Sequence, residues 1–244
     1  MTDDAAAVLR ALHVPGDPLL LPNVWDAASA AAVQELGFPA LATASAAVSA
    51  MLGYPDQEGA PAEEMFAAAG RVIRAASVPV TVDAEAGYGL PPAELVERLL
   101  AIGAAGCNLE DSRAGALVEP EAQAEYLAAV RAAAGDALVI NARIDTFVTR
   151  APDALDAAIA RGRLYAEAGA DCLYPITAPF EVLPDLVKGL PGPVNANNRP
   201  GVTPSDLAAA GAARISYGPL PYRRALDALK EFATRVKSGE DPHA

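Results

Sequence analysis

The chain has 244 residues, of which 52% are hydrophobic, and a formal net charge of −13. That length and composition suit one large α/β domain with a sizeable core. So acidic a chain argues against nucleic acid and anionic membranes, whose binding runs on Lys/Arg contacts, but leaves room for a small anionic substrate in a locally basic cleft.

The chain opens with MTDDAAAVLRALHV, which starts acidic and lacks the long apolar segment of a signal peptide. No run approaches 18 apolar residues free of Gly, Pro and charge, so no membrane span is expected. Cys107 and Cys172, the only cysteines, lie in the apolar runs AAGCNLE and GADCLYP. They read as buried, reduced thiols of a cytoplasmic protein.

From residue 19 onward, short apolar runs alternate with Ala-rich segments. The runs are LLLPNV at 19–24, PALAT at 39–43, VPVTV at 78–82, GCNLE at 106–110, ALVIN at 137–141, DCLYP at 171–175, GPVNA at 192–196 and ARISY at 213–217. Each is too short for an average helix and is bounded by Gly, Pro, Asp or Asn, so each reads as a strand. Helices are expected at 26–36, 62–76, 92–103, 121–134, 153–168, 179–188, 204–210 and 221–237. Pro91-Pro92, Pro152-Asp153 and Thr203-Pro204 supply start signals, and Gly37, Gly106, Gly169 and Gly211 close segments before the next strand. About eight βα units in sequence predict a parallel sheet, and their number favours a (β/α)8 TIM barrel spanning residues 1–244 as one domain. Neither G-x-G-x-x-G after the first strand nor a P-loop is present, which weighs against open nucleotide-binding folds.

In such a barrel the chemistry sits at the C-terminal strand ends. The polar residues gathered there include Asn23, Asp26, Thr43, Ser45 and Asp56, then Asp83 and Glu85, then Glu110, Asp111 and Ser112. Further on come Asn141, Arg143 and Asp145, then Tyr174, Asn195, Asn197, Asn198, Arg199, Ser216 and Tyr217. Side chains two apart on a strand share a face, so Asp83 and Glu85 point the same way if the strand continues that far. Glu110 ends the neighbouring strand. Three converging carboxylates repel unless a cation lies among them. Oxygen ligands suit Mg²⁺, with Mn²⁺ as the alternative. His13 and His243 lie near the termini and the cysteines within strands, which argues against zinc. The planar fork of Arg143 suits a substrate carboxylate or phosphonate, or else a structural bridge to Asp145.

These stretches together resemble the isocitrate lyase / phosphoenolpyruvate mutase superfamily from about residue 19 to 220. PNVWDAASAAAVQELGFPAL looks like its opening unit, and SAAVSAMLGYPDQE like the segment carrying an active-site Asp, here Asp56. VDAEAGYG resembles the metal-binding motif, GCNLEDS the fourth-strand Glu-Asp motif and NARIDTF the fifth-strand Arg motif. The resemblance implies a (β/α)8 barrel with its last helix exchanged between subunits of a homodimer or homotetramer. It implies Mg²⁺ and a small 2-oxo or 2-hydroxy acid. Asp83 would be the direct ligand, with Glu85 and Glu110 acting largely through water. Arg143 would hold the substrate anion, and the backbone amides of Ala44 and Ser45 its carboxylate. Asp56 would handle a proton or order water.

There are departures. Isocitrate-lyase-type members carry a catalytic Cys on a mobile loop after the fourth strand, and mutases an Asn-containing gating loop. Here that region is DSRAGALVEP, with no Cys, His or Lys. The segment NANNRPG is unusually polar. Asn197, Asn198 and Arg199 read a second anionic group, or Arg199 only bridges to a surface acid. The leading expectation is a Mg²⁺-dependent lyase that cleaves or decarboxylates a small acid through a pyruvate-like enolate. The alternatives are a phosphonopyruvate-type P–C mutase or hydrolase, and a barrel that binds a 2-oxo acid without catalysis.

Overall fold

The computed structural model describes residues 2–242; His243 lies outside them. The strands are β1 (Leu19–Leu21), β2 (Asn23–Val24), β3 (Leu41–Thr43), β4 (Val80–Asp83), β5 (Gly106–Glu110), β6 (Ser112–Arg113), β7 (Ala116–Leu117), β8 (Val139–Ile144), β9 (Cys172–Pro175), β10 (Asn195–Asn197) and β11 (Arg214–Ser216). The helices are α1 (Thr2–Ala11), α2 (Ala27–Glu35), α3 (Ser45–Leu52), α4 (Ala62–Ala75), α5 (Pro92–Ile102), α6 (Pro120–Ala134), α7 (Ala154–Glu167), α8 (Leu183–Gly189), α9 (Pro204–Ala209) and α10 (Leu220–Ser238).

The fold is α/β and TIM-barrel-like. Six parallel strands run in the order β2-β3-β4-β5-β8-β9, and a second parallel set runs β1-β11-β10. The sets are linked on both sides. Proline has no N–H for the ladder, and Pro22 divides the first strand, so that β1 pairs with β11 and β2 with β3. On the other side a bridge between Leu173 and Val194 joins β9 to the start of β10.

The alternation of side chains along the strands sorts the core. On β8, Ile140, Ala142 and Ile144 face the large apolar cluster that includes Leu127, Tyr165 and Leu186. Asn141 and Arg143 take the opposite face. α2 begins with a capping box, in which Asp26 accepts from the Ser29 amide at 2.7 Å and the Ser29 hydroxyl accepts from the Asp26 amide. α9 does the same through Thr203 and Asp206.

Besides α3, which no helix expected from the sequence covers, two elements were not expected. α1 covers the end of the sheet where the strands begin, burying Leu9 against Leu19, Leu21, Ala42 and Val139. Arg10 fastens it by an ion pair to Asp171 at 2.8 Å. Gly106 is required beneath it, because a Cβ there would stand 2.7 Å from the Val139 carbonyl oxygen and 3.0 Å from Leu9. The second element is an antiparallel hairpin, β6–β7, directly after β5. Both cysteines are buried and free, and burial pushes both thiols up to about 12. No helix of the described residues is long and apolar enough to cross a membrane.

Candidate active site

The strand register places the ionic cluster. Glu110 stands opposite Arg143 across β5 and β8, and Arg143 opposite Tyr174 across β9. Neighbouring ends of opposite charge form an ion pair, Arg143 to Glu110. Asp145 takes the other side of the guanidinium, accepting from Nε at 2.6 Å and Nη2 at 3.0 Å. Asp145 is itself fixed: it is fully buried, accepts from the Ser112 hydroxyl, and its amide donates to Asp111 at 2.8 Å. Asp111 also accepts from Tyr165 at 2.8 Å and Arg161 at 3.0 Å, which makes it the anchor behind the cluster. Burial disfavours the charge of Arg143, but Asp145 and Glu110 outweigh it and hold the guanidinium above its ordinary value.

The β4 end departs from the simple pattern. The strand stops at Asp83, and Glu85 adopts φ 49°, so the two-residue alternation does not carry through. The Asp83 carboxylate accepts the Ser45 amide at the start of α3, at 2.8 Å. Glu85 turns to accept the Glu58 amide at 2.5 Å and the Tyr88 hydroxyl at 3.0 Å. Glu58 reciprocates by accepting the Tyr88 amide at 2.5 Å. This clasp ties the segment after α3 to the Gly-Tyr-Gly turn. Gly87, at φ 90°, is held there because a Cβ would lie 2.3 Å from the Tyr126 hydroxyl.

A cavity of about 250 Å³ opens above the cluster. Ser45, Asp56, Glu85, Glu110, Arg143 and Asp145 are in its wall, joined by Gln57, Glu58, and Ser112 to Gly115 of the hairpin. Of the expected residues, Ala44 and Asn197 are not in that wall. Ala44 is buried as the N-cap of α3. Asn197 lines a separate small cavity with Arg199 and accepts the Thr177 amide at 3.1 Å. Asp83 also lies outside the wall and touches it through Ser45. The Ser45 amide is thereby engaged by a carboxylate of the protein.

Electrostatics mark the same spot. Burial, with help from Asp83, lifts Glu85 to about 7 against the opposing Glu58 amide. Burial lifts Glu110 to about 9; Arg143 opposes this, while Asp145, Asp83 and Glu85 reinforce it. Among the described residues no three Asp, Glu, His or Cys side chains form a closed cation cage. An all-oxygen set of mutually repelling carboxylates nonetheless fits a hard divalent ion that keeps most of its own waters. His13 belongs to none of this: its Nδ1 lies 2.8 Å from the Leu9 carbonyl, and burial lowers it to about 4.

Arg113 and Glu58 were missed in the sequence. The signal for Arg113 was the Ala-Gly pair after it, which makes a two-residue hairpin turn with φ 49° and 78°.

In a TIM-barrel-like fold, carboxylates and an arginine gathered at the strand ends mark the place where such folds carry their active sites. The chain matches the family described as phosphoenolpyruvate phosphomutase over residues 9–237, and it belongs to that family, within the isocitrate lyase / phosphoenolpyruvate mutase superfamily. A 2-methylisocitrate lyase of Aeropyrum pernix is 29% identical over 246 residues, covering 94% of this chain and 79% of that protein. The structure of a phosphoenolpyruvate phosphomutase from Streptomyces platensis subsp. rosaceus matches with TM-score 0.87 and 27% identity, over 97% of this chain and 88% of that one. That of a 2,3-dimethylmalate lyase matches with TM-score 0.85 and 26% identity, over 98% and 89%.

Proposed function

We propose that the protein is a Mg²⁺-dependent lyase of a small 2-oxo or 2-hydroxy carboxylic acid, breaking a C–C bond or decarboxylating through a pyruvate-like enolate. The observation that carries this is the meeting of Glu85, Glu110 and Arg143 in one cavity wall, with Asp83 just behind it. Asp83, Glu85 and Glu110 are the residues assigned to the cation. Bound Mg²⁺ supplies positive charge where negative charge develops on the substrate oxygen. Arg143, held in place by Asp145, orients the substrate carboxylate. The start of α3 at Ser45 adds the partial positive charge of a helix N-terminus. Asp56, exposed in the wall, is the residue assigned to handle a proton or order a water. The lyase names among the relatives support this reading.

The closing strand pairings support a complete (β/α)8 barrel. α10 supports exchange between subunits of a homodimer or homotetramer: none of its 19 residues is buried, and Leu229, Phe232 and Val236 are exposed.

The test is Mg²⁺-dependent release of pyruvate or glyoxylate from malate-, citrate- and oxaloacetate-like acids. A folded, metal-loaded protein that turns over none of them would overturn the lyase reading. The phosphomutase match favours P–C chemistry as the second reading, and phosphorus NMR on phosphonopyruvate separates the two.

A further inference from the structure

α7 follows β8 and packs against β8 and β9, and none of its residues is in the wall of the cavity. Two of them nevertheless end on the network behind Arg143. Arg161 and Tyr165 are four apart, so they share one side of the helix. The Tyr165 hydroxyl donates to Asp111 Oδ2 at 2.8 Å. Arg161 Nη1 donates to the same carboxylate oxygen at 3.0 Å and to the Tyr165 hydroxyl at 3.0 Å. Tyr165 is fully buried in the large apolar cluster, where the ring alone could do the packing. What the hydroxyl adds is its bond to Asp111.

Asp111 passes the constraint on. While α7 holds its Oδ2, its Oδ1 accepts the Asp145 amide at 2.8 Å, so one buried carboxylate ties α7 to the end of β8. The Asp145 carbonyl accepts the Thr149 amide at 2.9 Å, which restrains the same residue from the other side. Asp145 then grips Arg143 with both carboxylate oxygens, 2.6 Å from Nε and 3.0 Å from Nη2, and leaves Nη1 for Glu110. A planar guanidinium held along one edge turns only as its carboxylate turns. The direction of Arg143 is therefore set by where Asp145 stands, and Asp145 by Asp111.

We propose that Tyr165 and Arg161 are positioning residues for Arg143: through Asp111 and Asp145 they set the direction in which its guanidinium faces the cavity. α7 thus takes part in substrate recognition without touching substrate. The inference rests on the reading of Arg143 as the residue that holds the substrate carboxylate.

Two measurements test this. Calorimetry with Mg²⁺ present follows oxalate binding to the wild type, Tyr165→Phe, Arg143→Met and the double variant. Tyr165→Phe keeps its ring in the apolar cluster, so it is expected to fold, and its melting temperature checks this. It is expected to weaken oxalate at least about threefold when Arg143 is present and less than about twofold when it is absent, because a residue acting through Arg143 then has nothing to act on. Arg161→Met is expected to behave likewise, and Arg161→Lys, which keeps a charged donor on α7, to recover part of the loss. A merely structural role would weaken oxalate equally in both backgrounds. NMR of the Arg143 Nε–H, assigned by its disappearance in Arg143→Met, reads the same link with no ligand: its exchange with water is expected to quicken at least about fivefold in Tyr165→Phe. An oxalate loss that is the same with and without Arg143, or an exchange rate that Tyr165→Phe leaves unchanged, overturns the inference. If Arg143→Met or the wild type binds no oxalate, the exchange rate alone decides the link from α7 to Arg143, and in the second case the acid-site reading falls.

Discussion

If Glu85 and Glu110 serve the cation, Mg²⁺ affinity must rise with pH, because both carboxyls have to lose protons to bind it. Glu85 sits at about 7 and Glu110 at about 9 in the metal-free protein. Moving from pH 6 to pH 8 takes Glu85 from about one-tenth to about nine-tenths ionised, which by itself tightens binding by about tenfold. Glu110 acts in the same direction and raises the limit to about a thousandfold if it too must ionise. Isothermal titration with MgCl₂ at pH 6, 7 and 8, at fixed ionic strength, measures the slope. Repeating the pH 7 titration in buffers of different ionisation enthalpy counts the protons released. Stability carries the same signature. Burial raises the Glu85 carboxyl from its ordinary value near 4.5 to about 7, so its stabilisation is full below pH 4.5 and is lost as pH rises through 7, on the order of 3 kcal/mol. His13, lowered from 6.5 to about 4, has the opposite sign: its contribution is lost as pH falls from 6.5 toward 4. Melting temperatures are therefore compared above pH 6.5, where the gain from Mg²⁺ should grow with pH. A dissociation constant that stays within about threefold between pH 6 and 8 would refute the assignment of Glu85 and Glu110 to the cation.

Asp83→Asn keeps an acceptor for the Ser45 amide and removes the charge, so the protein should fold with its melting temperature unresponsive to Mg²⁺. Gly87→Ala puts a Cβ 2.3 Å from the Tyr126 hydroxyl at φ 90°. The expected cost is about 2–4 kcal/mol in calorimetric stability, and adding Tyr126→Phe should recover the steric part only. Phe232→Asp places a charge on the exposed apolar side of α10. Light scattering should then report a smaller assembly than the wild type.

Much of the scaffold was legible because it is written in strong local signals. The expected strand runs lie where β1 to β11 form, apart from the hairpin, because each is a short apolar segment between turn residues. α5, expected at 92–103, spans Pro92–Ile102, since Pro at its start and Gly103 at its end leave little choice. α1 was not legible, because its two acidic residues and run of alanines reveal no partner until the bottom of the sheet exists to receive Leu9. The site was legible as a set of carboxylates and less so as geometry. Period-two reasoning put Asp83 and Glu85 on one face, whereas the positive φ of Glu85 is a tertiary outcome, imposed by its bonds to Glu58 and Tyr88. Glu58 lies 27 residues before Glu85, and no spacing rule joins them.

The segment after β5 shows why absence of a motif is a weak guide to chemistry. DSRAGALVEP has no Cys, His or Lys, and by composition it looks empty. In space it is a hairpin with a two-residue turn, tied at its base to the Asp111 carbonyl and the Asp145 carboxylate. In the same cavity wall, Glu58, at positive φ, holds the segment after α3 against the Gly-Tyr-Gly turn by accepting the Tyr88 amide. Glu85 stands at the centre of that clasp while facing the cavity. If Glu85 serves the cation, a change in its charge would bear directly on the two bonds it accepts, from the Glu58 amide and the Tyr88 hydroxyl.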